Sequence, residues 1–397
     1  MTLAKEALNL HKKLRGKIEI TSKHPVLTKE ILSLLYTPGV AEVSKEIAKN
    51  KEKVYEYTSK WNTVAIITDG SRVLGLGNIG PEAALPVMEG KAILFKLFGK
   101  VDAFPLCLST QKAEEIIEIV KNISPSFGGI NLEDIDSPKC FEIFDALNGV
   151  MDIPIYHDDQ HGSGMVAAAA LINSLKIVGK KLNEVKVVVV GAGSAGYGIV
   201  TLLNAVGVKN ILILDSNGII NSGRNDLNKY KQKLVQITNK GNAKGNLIDA
   251  INGADVLIGA SGIAGLIKND MIKKMDRDPV VFALTNPDPE IMPEEAKDAA
   301  IIATGRSDYP NQINNVLVFP AVMRGLLDVR AKSINDEILV AGTYALADVI
   351  KDELRKDYIL PSPTDERILP AVSKAIKEAA IKTGVARIKN NSHQLKA

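Results

Sequence analysis

The sequence has little of what marks a secreted, membrane-bound or nucleic-acid-binding protein. Only two of its 397 residues are cysteine, Cys107 and Cys140, which give neither a zinc-binding spacing nor a disulfide framework. Its longest fully apolar run, Met165–Ile172, is far too short to span a bilayer, and its N-terminus lacks the apolar core of a signal peptide. The 49 basic and 46 acidic residues nearly balance, with no basic block. We therefore expect a cytoplasmic protein that binds neither a membrane nor a nucleic acid.

A glycine-rich turn stands between a strand and a helix near the middle of the chain. The run Val185–Val190 is apolar apart from Lys186 and does not alternate, as is typical of a parallel strand buried on both faces. In the turn the first glycine permits a sharp bend, the second lets the backbone approach a pyrophosphate, and the third lets the helix pack closely on the strand. With its flanking elements the motif predicts a dinucleotide-binding Rossmann unit. Its residues are Gly191, Ala192, Gly193, Ser194, Ala195 and Gly196.

The second strand of this unit ends in an acidic residue, Asp215. A carboxylate at this place accepts hydrogen bonds from a ribose diol and repels the 2′-phosphate of NADP. The next residues, Ser216-Asn217, supply no immediate cation. The sequence therefore predicts a preference for NAD, with NADP left open because Arg224 or Lys229 could reach the same position.

Acidic side chains also follow two strands of the N-terminal half. Glu133 and Asp134 come directly after one apolar strand, and Asp158 and Asp159 come soon after the next. Open α/β sheets bind ligands at the carboxyl ends of their strands, so we expect both pairs to face one crevice. Clustered carboxylates repel each other unless a cation neutralises them, and a hard divalent ion is the usual one. For Glu133 and Asp134 a solvated acidic loop is the alternative.

Two histidines flank the second acidic pair and raise the question of zinc. His157 and His161 are four residues apart, a spacing that serves one metal ion when the segment is helical. Pro154 and Gly162 instead indicate a strand followed by a loop. Oxygen ligands and Mg²⁺ or Mn²⁺ therefore fit this segment better.

Five further residues are candidates for substrate chemistry. Tyr36 precedes a Thr-Pro corner, Arg72 lies in a glycine-rich loop after a strand, and Lys91 lies in a helical stretch. Asn286 and Asn315 lie in loops after later apolar segments, where asparagine can both donate and accept hydrogen bonds. Taken singly, each has an ordinary alternative: a core aromatic, a surface arginine, a solvated lysine or an Asx turn.

Together, these segments resemble the malic enzyme family, and the resemblance covers nearly the whole chain. Seven long motifs in the same order make an accidental likeness negligible. They are YTPGVA (36–41), TDGSRVLGLGNIGPEAALPVMEGKAILFK (68–96), INLEDI (130–135), YHDDQHGSG (156–164), GAGSAG (191–196), TNPDPE (285–290) and NQINNVLVFPAVMRG (311–325).

The resemblance implies a metal-dependent oxidative decarboxylation of malate to pyruvate and CO₂ that reduces NAD(P). It implies that Lys91 is the base for the C2 hydroxyl and Tyr36 the acid that protonates C3. The other roles that it implies are metal binding by Glu133, Asp134 and Asp159, a proton path or outer contact at Asp158, and contacts to substrate or nicotinamide from Arg72, Asn286 and Asn315.

For Lys91 this role requires a neutral amine. An ordinary lysine has a pKa of about 10.4, so half-deprotonation near pH 7.5 needs a fall of roughly 3 units. We expect burial and a nearby dication to lower the pKa of Lys91.

The fold expected is α/β, with a doubly wound parallel Rossmann sheet and a second α/β substrate domain that carries N-terminal helices. We expect residues 1–157, completed by 315–397, to form the substrate and metal domain, and residues 158–314 the dinucleotide-binding domain. The resemblance also suggests a homodimer, in which Tyr36 serves its own subunit or its neighbour. Two alternative functions stay open: conversion of malate to lactate with retained NAD, and a non-catalytic NAD-binding regulatory protein.

Overall fold

The computed structural model describes residues 3–25 and 27–388. In these ranges the helices are α1 (Leu3–Leu14), α2 (Lys29–Leu35), α3 (Val40–Lys49), α4 (Val54–Tyr57), α5 (Pro81–Gly99), α6 (Ala113–Ile123), α7 (Lys139–Leu147), α8 (Ser163–Val178), α9 (Ser194–Ala205), α10 (Lys229–Ile237), α11 (Leu247–Ile251), α12 (Asn269–Ile272), α13 (Phe319–Asp328), α14 (Asp336–Asp348) and α15 (Ile368–Lys382). The strands are β1 (Thr63–Thr68), β2 (Asp102–Cys107), β3 (Gly129–Leu132), β4 (Ile155–His157), β5 (Lys186–Val190), β6 (Asn210–Asp215), β7 (Gly218–Ile219), β8 (Val256–Gly259), β9 (Val280–Ala283) and β10 (Ile301–Thr304).

The strands form two separate sheets. The first has the order β2-β1-β3-β4 and is parallel throughout. The second has the order β10-β9-β8-β5-β6-β7 and is parallel except for the short antiparallel edge strand β7. Helices lie in most of the connections between successive parallel strands, but the connection from β9 to β10 has none. The predicted fold class, a doubly wound Rossmann sheet with a second α/β unit, is confirmed.

The strand that leads to the glycine turn lies inside the second sheet. β5 pairs with β6 on one side and β8 on the other, and its residues from Val187 to Val190 are buried. This explains the absence of alternation in its sequence, because both faces are covered.

Small residues let the neighbouring helices approach closely. α8 is buried from Gly164 to Leu175 and packs against α9 and α14. A Cβ atom on Gly164 would lie 2.7 Å from the carbonyl oxygen of Gly198 in α9. The alanines and glycine of α8 therefore set the distance between α8 and α9.

The C-terminal helices return to the first half of the chain. α13 packs against α5 and α15, and a Cβ atom on Gly99 of α5 would lie 2.7 Å from the carbonyl oxygen of Pro320. The boundaries expected at residues 157/158 and 314/315 stay a prediction.

The N-terminal helices lie at the surface. No residue of α1, α2 or α3 is buried. Their apolar side chains are strongly exposed, with Leu3 at 83%, Leu8 at 73% and Leu34 at 68% of full accessibility. Exposed apolar side chains are thus concentrated on these N-terminal helices.

The segment 217–244, expected from its composition to be a polar surface excursion, is partly ordered into secondary structure. It contains β7 and α10, and α10 buries Tyr230 and Leu234 against the rest of the protein. The fraying expected of the chain end concerns residues that lie mostly outside the described ranges. None of the helices within those ranges has the length and apolar character that crossing a membrane requires.

Candidate active site

Four carboxylates lie together at the carboxyl ends of β3 and β4. These strands are parallel neighbours with Leu132 opposite His157, so the residues that follow them meet at one edge of the sheet. One oxygen from each of Glu133, Asp134 and Asp159 lies within 4.8 Å of the others. The backbone N–H of Asp134 also donates to Asp159 Oδ2 at 2.9 Å. The structure thus brings together all three residues expected to bind the metal.

Lys91 projects from α5 into this cluster. Its Nζ donates to Glu133 Oε1 at 2.6 Å and to Asp158 Oδ2. The same Asp158 oxygen accepts from Asn315 Nδ2 at 3.1 Å. The Lys91 ammonium also lies 4.4 Å from the centre of the Phe319 ring, a favourable position for a cation. Lys91, Glu133, Asp158 and Asn315 therefore form one connected network.

Two opposing effects act on the pKa of Lys91. Burial lowers it, as expected, but the negative charges of Asp158 and Glu133 outweigh burial and hold the pKa above its ordinary value. The fall expected from burial together with a dication therefore stays a prediction, and burial alone does not produce it. The physical reason is that both carboxylates contact the ammonium directly, so any fall in pKa requires their charge to be engaged elsewhere.

The carboxylates themselves resist ionisation. Burial, with the charge of nearby carboxylates, raises the pKa of Asp134 to about 8 and that of Glu133 well above its usual range. Burial also raises the pKa of Asp159 to about 6. Oδ1 of Asp158 is buried without a hydrogen-bond partner among the described residues. A buried, oxygen-only donor set of this kind fits a hard divalent cation.

A buried ion pair holds the Arg72 loop against the carboxylate loop. Lys139, at the start of α7, bonds to the fully buried carboxylate of Asp69, which also accepts from Ser71 Oγ at 2.5 Å. The backbone N–H of Arg72 donates to the carbonyl of Asp134 at 3.1 Å. Sequence reasoning missed Lys139 and Asp69; an acidic residue between a buried strand and a glycine was the available signal.

The segment after β4 is a wide helical turn, Asp158–Gly162, and not the loop that the sequence predicted. His157 Nδ1 accepts from the N–H of Gln160, and His161 Nδ1 accepts from the N–H of His157, both at 3.2 Å. Burial lowers the pKa of His157 to about 4 and that of His161 to about 3. These histidines fasten the turn through backbone hydrogen bonds, and among the described residues the only metal-compatible group is the carboxylate cluster.

The glycine-rich turn borders a cavity of about 670 Å³. Gly191 has a φ of +108°, and a Cβ atom on Gly196 would lie only 1.8 Å from the carbonyl oxygen of Gly191. Gly193 faces open space, with only Ser137 Oγ near the position of a Cβ atom. The cavity is lined by the turn residues Gly191, Ala192 and Gly193, and by Asp215, Arg72, Tyr230 and Lys231. Ser194, Ala195 and Gly196 form the first turn of α9, whose free N–H groups suit a phosphate.

Asp215 is paired with two cations. Arg224 Nη1 and Nη2 donate to its two oxygens at 2.8 and 3.0 Å, and Lys231 Nζ donates at 2.6 Å. Lys229 instead lies 3.5 Å from Glu142. Of the two cations that the sequence left open, Arg224 reaches Asp215 and Lys229 does not, and Lys231, which the sequence analysis did not name, is added because the segment 217–244 folds back.

Two expected site residues lie apart from this network. The side chain of Tyr36 is 68% exposed at the C-terminal end of α2. The carboxamide of Asn286 lies beside Gly305, and it makes no hydrogen bond within the described ranges. Sequence reasoning also missed Glu290, which is fully buried and accepts from Thr285 Oγ1 at 2.6 Å and from the N–H of Ser261 at 2.9 Å. Glu290 thereby ties together the loops after β8 and β9.

Comparison with known protein families shows to which family the chain belongs. Residues 15–148 match the model of the malic enzyme N-terminal domain, and residues 160–390 match that of the malic enzyme NAD-binding domain. The chain belongs to the malic enzyme family. Its Rossmann unit is accordingly the family's NAD-binding domain, and the recognition made from the seven motifs is confirmed.

Curated malic enzymes are similar over almost the full chain. The bifunctional malic/malolactic enzyme of Bacillus subtilis is 52% identical over 98% of this chain and 95% of its own length. The NAD-dependent malic enzyme of Geobacillus stearothermophilus is 54% identical over 94% of this chain and 79% of its own. The NADP-dependent malic enzyme of Halomonas elongata is 46% identical over 98% of this chain and 96% of its own length.

Solved malic enzyme structures share the fold. The enzyme of Pyrococcus horikoshii superposes with a TM-score of 0.93 at 49% identity, covering 98% of this chain and 93% of that one. The NAD-dependent malic enzyme of Thermotoga maritima gives 0.89 at 50% identity, covering 94% and 98%.

The raised pKa values of the carboxylates predict how pH affects stability without metal. A carboxyl whose pKa is raised in the folded state stabilises that state below its unfolded pKa, and this stabilisation is lost as pH rises through the folded value. For Asp134 the loss extends from its ordinary 3.8 to about 8. In chelator, we therefore expect Asp134→Asn to gain melting temperature relative to the unsubstituted protein as pH rises from 5 to 8.

The lowered pKa values of His157 and His161 make stability rise with pH instead. This contribution is the same in Asp134→Asn and in the unsubstituted protein, so it cancels in the comparison. Mn²⁺ should raise the melting temperature most at high pH, where fewer protons must be displaced from the carboxylates. In Asp134→Asn, the same rise in melting temperature should require a Mn²⁺ concentration about tenfold higher or more. A constant difference between the two melting temperatures across pH, or no effect of Mn²⁺, would contradict this.

Proposed function

We propose that the protein catalyses the oxidative decarboxylation of malate to pyruvate and CO₂ with reduction of NAD(P). The observation that carries the proposal is the contact of Lys91 with Glu133 and Asp158 inside a cluster of buried carboxylates. Arg72 joins this cluster to the dinucleotide cavity, because its backbone bonds to Asp134 and its residue lines that cavity. A basic side chain, a group of carboxylates suited to a cation and the cavity proposed for the hydride acceptor are thereby neighbours, which supports the proposed reaction.

Glu133, Asp134 and Asp159 would hold Mg²⁺ or Mn²⁺. The fit rests on their mutual distances and on burial, which makes an uncompensated cluster of three negative charges costly. When bound, such an ion supplies Lewis-acid stabilisation of negative charge on the substrate oxygen. By engaging Glu133, it would also lessen the charge that keeps Lys91 protonated.

Lys91 takes the proton of the C2 hydroxyl, and Asp158, bonded to it, offers the next acceptor on a path outward. Tyr36 donates a proton to C3, for which a neutral phenol is suited. Arg72, Asn286 and Asn315 bind substrate carboxylates or the nicotinamide amide. Asn315 already donates to Asp158, so it also positions that carboxylate.

A homodimer is the arrangement that places Tyr36 best. Its side chain is exposed at the end of α2, among helices whose apolar residues have no cover within the described chain. Pairing of two such surfaces would bury them and bring the Tyr36 of one subunit toward the other. The cytoplasmic location expected from composition stays a prediction.

A second candidate activity is the conversion of malate to lactate with retained NAD. It is favoured by the similarity to the bifunctional malic/malolactic enzyme of Bacillus subtilis. A non-catalytic regulatory role is less well supported, because Lys91 and the carboxylate cluster are assembled and connected.

The activity is tested by incubating the protein with malate, NAD or NADP and Mn²⁺. We expect absorbance at 340 nm to rise with equimolar pyruvate, because hydride leaves C2 before CO₂ is lost. Lys91→Ala should lower kcat by roughly 10²–10⁴-fold, the usual worth of a general base. Lactate without net absorbance change would support the second candidate, and full activity in excess chelator would exclude the metal-dependent mechanism.

The placement of Tyr36 is tested by mixing two inactive variants, Tyr36→Phe and Lys91→Ala, after dissociation and reassociation. If Tyr36 acts across a dimer, each mixed dimer holds one site with both residues intact. Random mixing makes about half of the dimers mixed, and each mixed dimer has one intact site of its two. About a quarter of full activity should therefore return. If Tyr36 serves its own subunit, no mixed dimer has an intact site and no activity returns.

The prediction that NAD is preferred is tested by comparing kcat/KM for NAD and NADP, and the part that Lys231 plays in cofactor choice is tested by substitution. Arg224 and Lys231 neutralise Asp215, and a 2′-phosphate could take its place between them. Lys231→Gln should therefore lower kcat/KM for NADP by about tenfold while changing that for NAD less than twofold or so. Lys229→Gln is the matched control, because Lys229 pairs with Glu142 instead. An equal effect of Lys231→Gln on both cofactors would contradict a role in cofactor choice.

A further inference from the structure

A second, smaller cavity of about 240 Å³ adjoins the helical turn Asp158–Gly162. It shares Phe141, Tyr197 and Tyr230 with the dinucleotide cavity but includes none of the residues of the glycine-rich turn. Gln160 and His161, which belong to the same helical turn as Asp158 and Asp159, also line it. The cavity is therefore distinct from the cofactor site and in direct contact with the segment that carries two catalytic carboxylates.

Several of the side chains that line this cavity are aromatic, and the ring of one of them, Tyr230, already has Lys229 and Lys233 near it, with Nζ at 4.9 and 4.8 Å from the ring centre. The ring centre of Phe141 lies 4.6 Å from that of Tyr197 and 4.8 Å from that of Tyr230. The ring centre of Phe144 lies 4.8 Å from that of His161. Aromatic faces carry partial negative charge and attract organic cations.

The charged residues that line the cavity are acidic. Asp145 and Asp336 both belong to it, and no lysine or arginine of the described chain does. Asp145 accepts from the hydroxyl of Tyr230 at 3.1 Å and is 3.3 Å from Lys233, so its charge is partly matched. Asp336 has no ion pair and no side-chain hydrogen bond within the described ranges. It begins α14, where burial and the charge of Glu337 raise its pKa, so that a cation entering the cavity would favour its ionised form.

A buried hydrogen-bond acceptor adds to this negative character. Gln160 is 9% exposed, and its Oε1 is buried without a partner among the described residues. An unpaired buried carbonyl is costly, and a donor that enters the cavity would relieve that cost. Two carboxylates, a free carbonyl oxygen and aromatic walls together favour a ligand with N–H donors, a positive charge and a short apolar body.

We propose that this cavity is an effector site for a small organic ammonium ion, and that a bound ion alters the position of Asp158 and Asp159 through the turn 158–162. The ammonium pairs with Asp336 and donates to Gln160, while the apolar body packs on Phe144 and its neighbours. Anionic metabolites, malate included, are excluded by the two carboxylates. The inference concerns a site other than the active site, and binding can be measured without turnover.

Binding is tested with n-butylammonium by titration calorimetry in phosphate buffer free of other amines. We expect saturable binding with a Kd on the order of 1 mM, as suits so few heavy atoms. Asp336→Asn should weaken it at least about tenfold, the loss of one charge-assisted hydrogen bond. Glu337→Gln, the neighbouring carboxylate outside the cavity, should bind as the unsubstituted protein does. Butyrate, of similar shape and opposite charge, should not bind.

The coupling is tested in the same proteins at constant ionic strength. Saturating n-butylammonium should change the KM for malate or the Mn²⁺ requirement at least about twofold, and this change should vanish in Asp336→Asn but persist in Glu337→Gln. Equal binding to Asp336→Asn, equal binding of butyrate, or no saturation would overturn the site. Binding that leaves both kinetic quantities unchanged would overturn the regulatory role. Loss of malate turnover itself would concern the proposed function and leave the binding result standing.

Discussion

The contact of one buried ammonium with two buried carboxylates organises this protein. Lys91 reaches Glu133 and Asp158 from α5, and each partner comes from a different strand end. Taking these charges out of water is costly, so the arrangement persists only because further groups complete it. Asn131 donates to Glu133 at 2.8 Å, Asn315 donates to Asp158, and the face of Phe319 meets the ammonium. Elements from the beginning, the middle and the end of the sequence therefore converge on one electrostatic centre.

Much of this could be predicted from sequence, because the governing patterns are local. The apolar runs at 63–68 and 185–190 identify buried parallel strands, and polar residues directly after such strands must lie at one edge of the sheet. That reasoning placed Glu133, Asp134 and Asp159 together without any structural information. The glycines at 191 and 196 are equally local, since the bend and the close helix contact leave no space for a side chain.

What the sequence left undetermined depends on contacts between distant segments. Arg224 and Lys231 reach Asp215 only because 217–244 folds into β7 and α10, which its polar composition conceals. The protonation of Lys91 depends on which atoms touch it, and burial alone predicts the wrong direction. Tyr36 ends an exposed helix, α2, away from the carboxylates, and the local pattern around it does not indicate that separation.

The close approach of α8 and α9 has a consequence for the evolution of the family. A Cβ atom on Gly198 would lie 1.9 Å from the carbonyl oxygen of Gln160, so the dinucleotide helix rests directly on the turn that bears Asp158 and Asp159. A single added methyl group at this point would push the turn, and the turn would carry the carboxylates with it. Tolerance to mutation at such interior positions is thus limited by the geometry of catalysis as well as by stability. A substitution at Gly198 would therefore alter the geometry of carboxylates that lie outside α9.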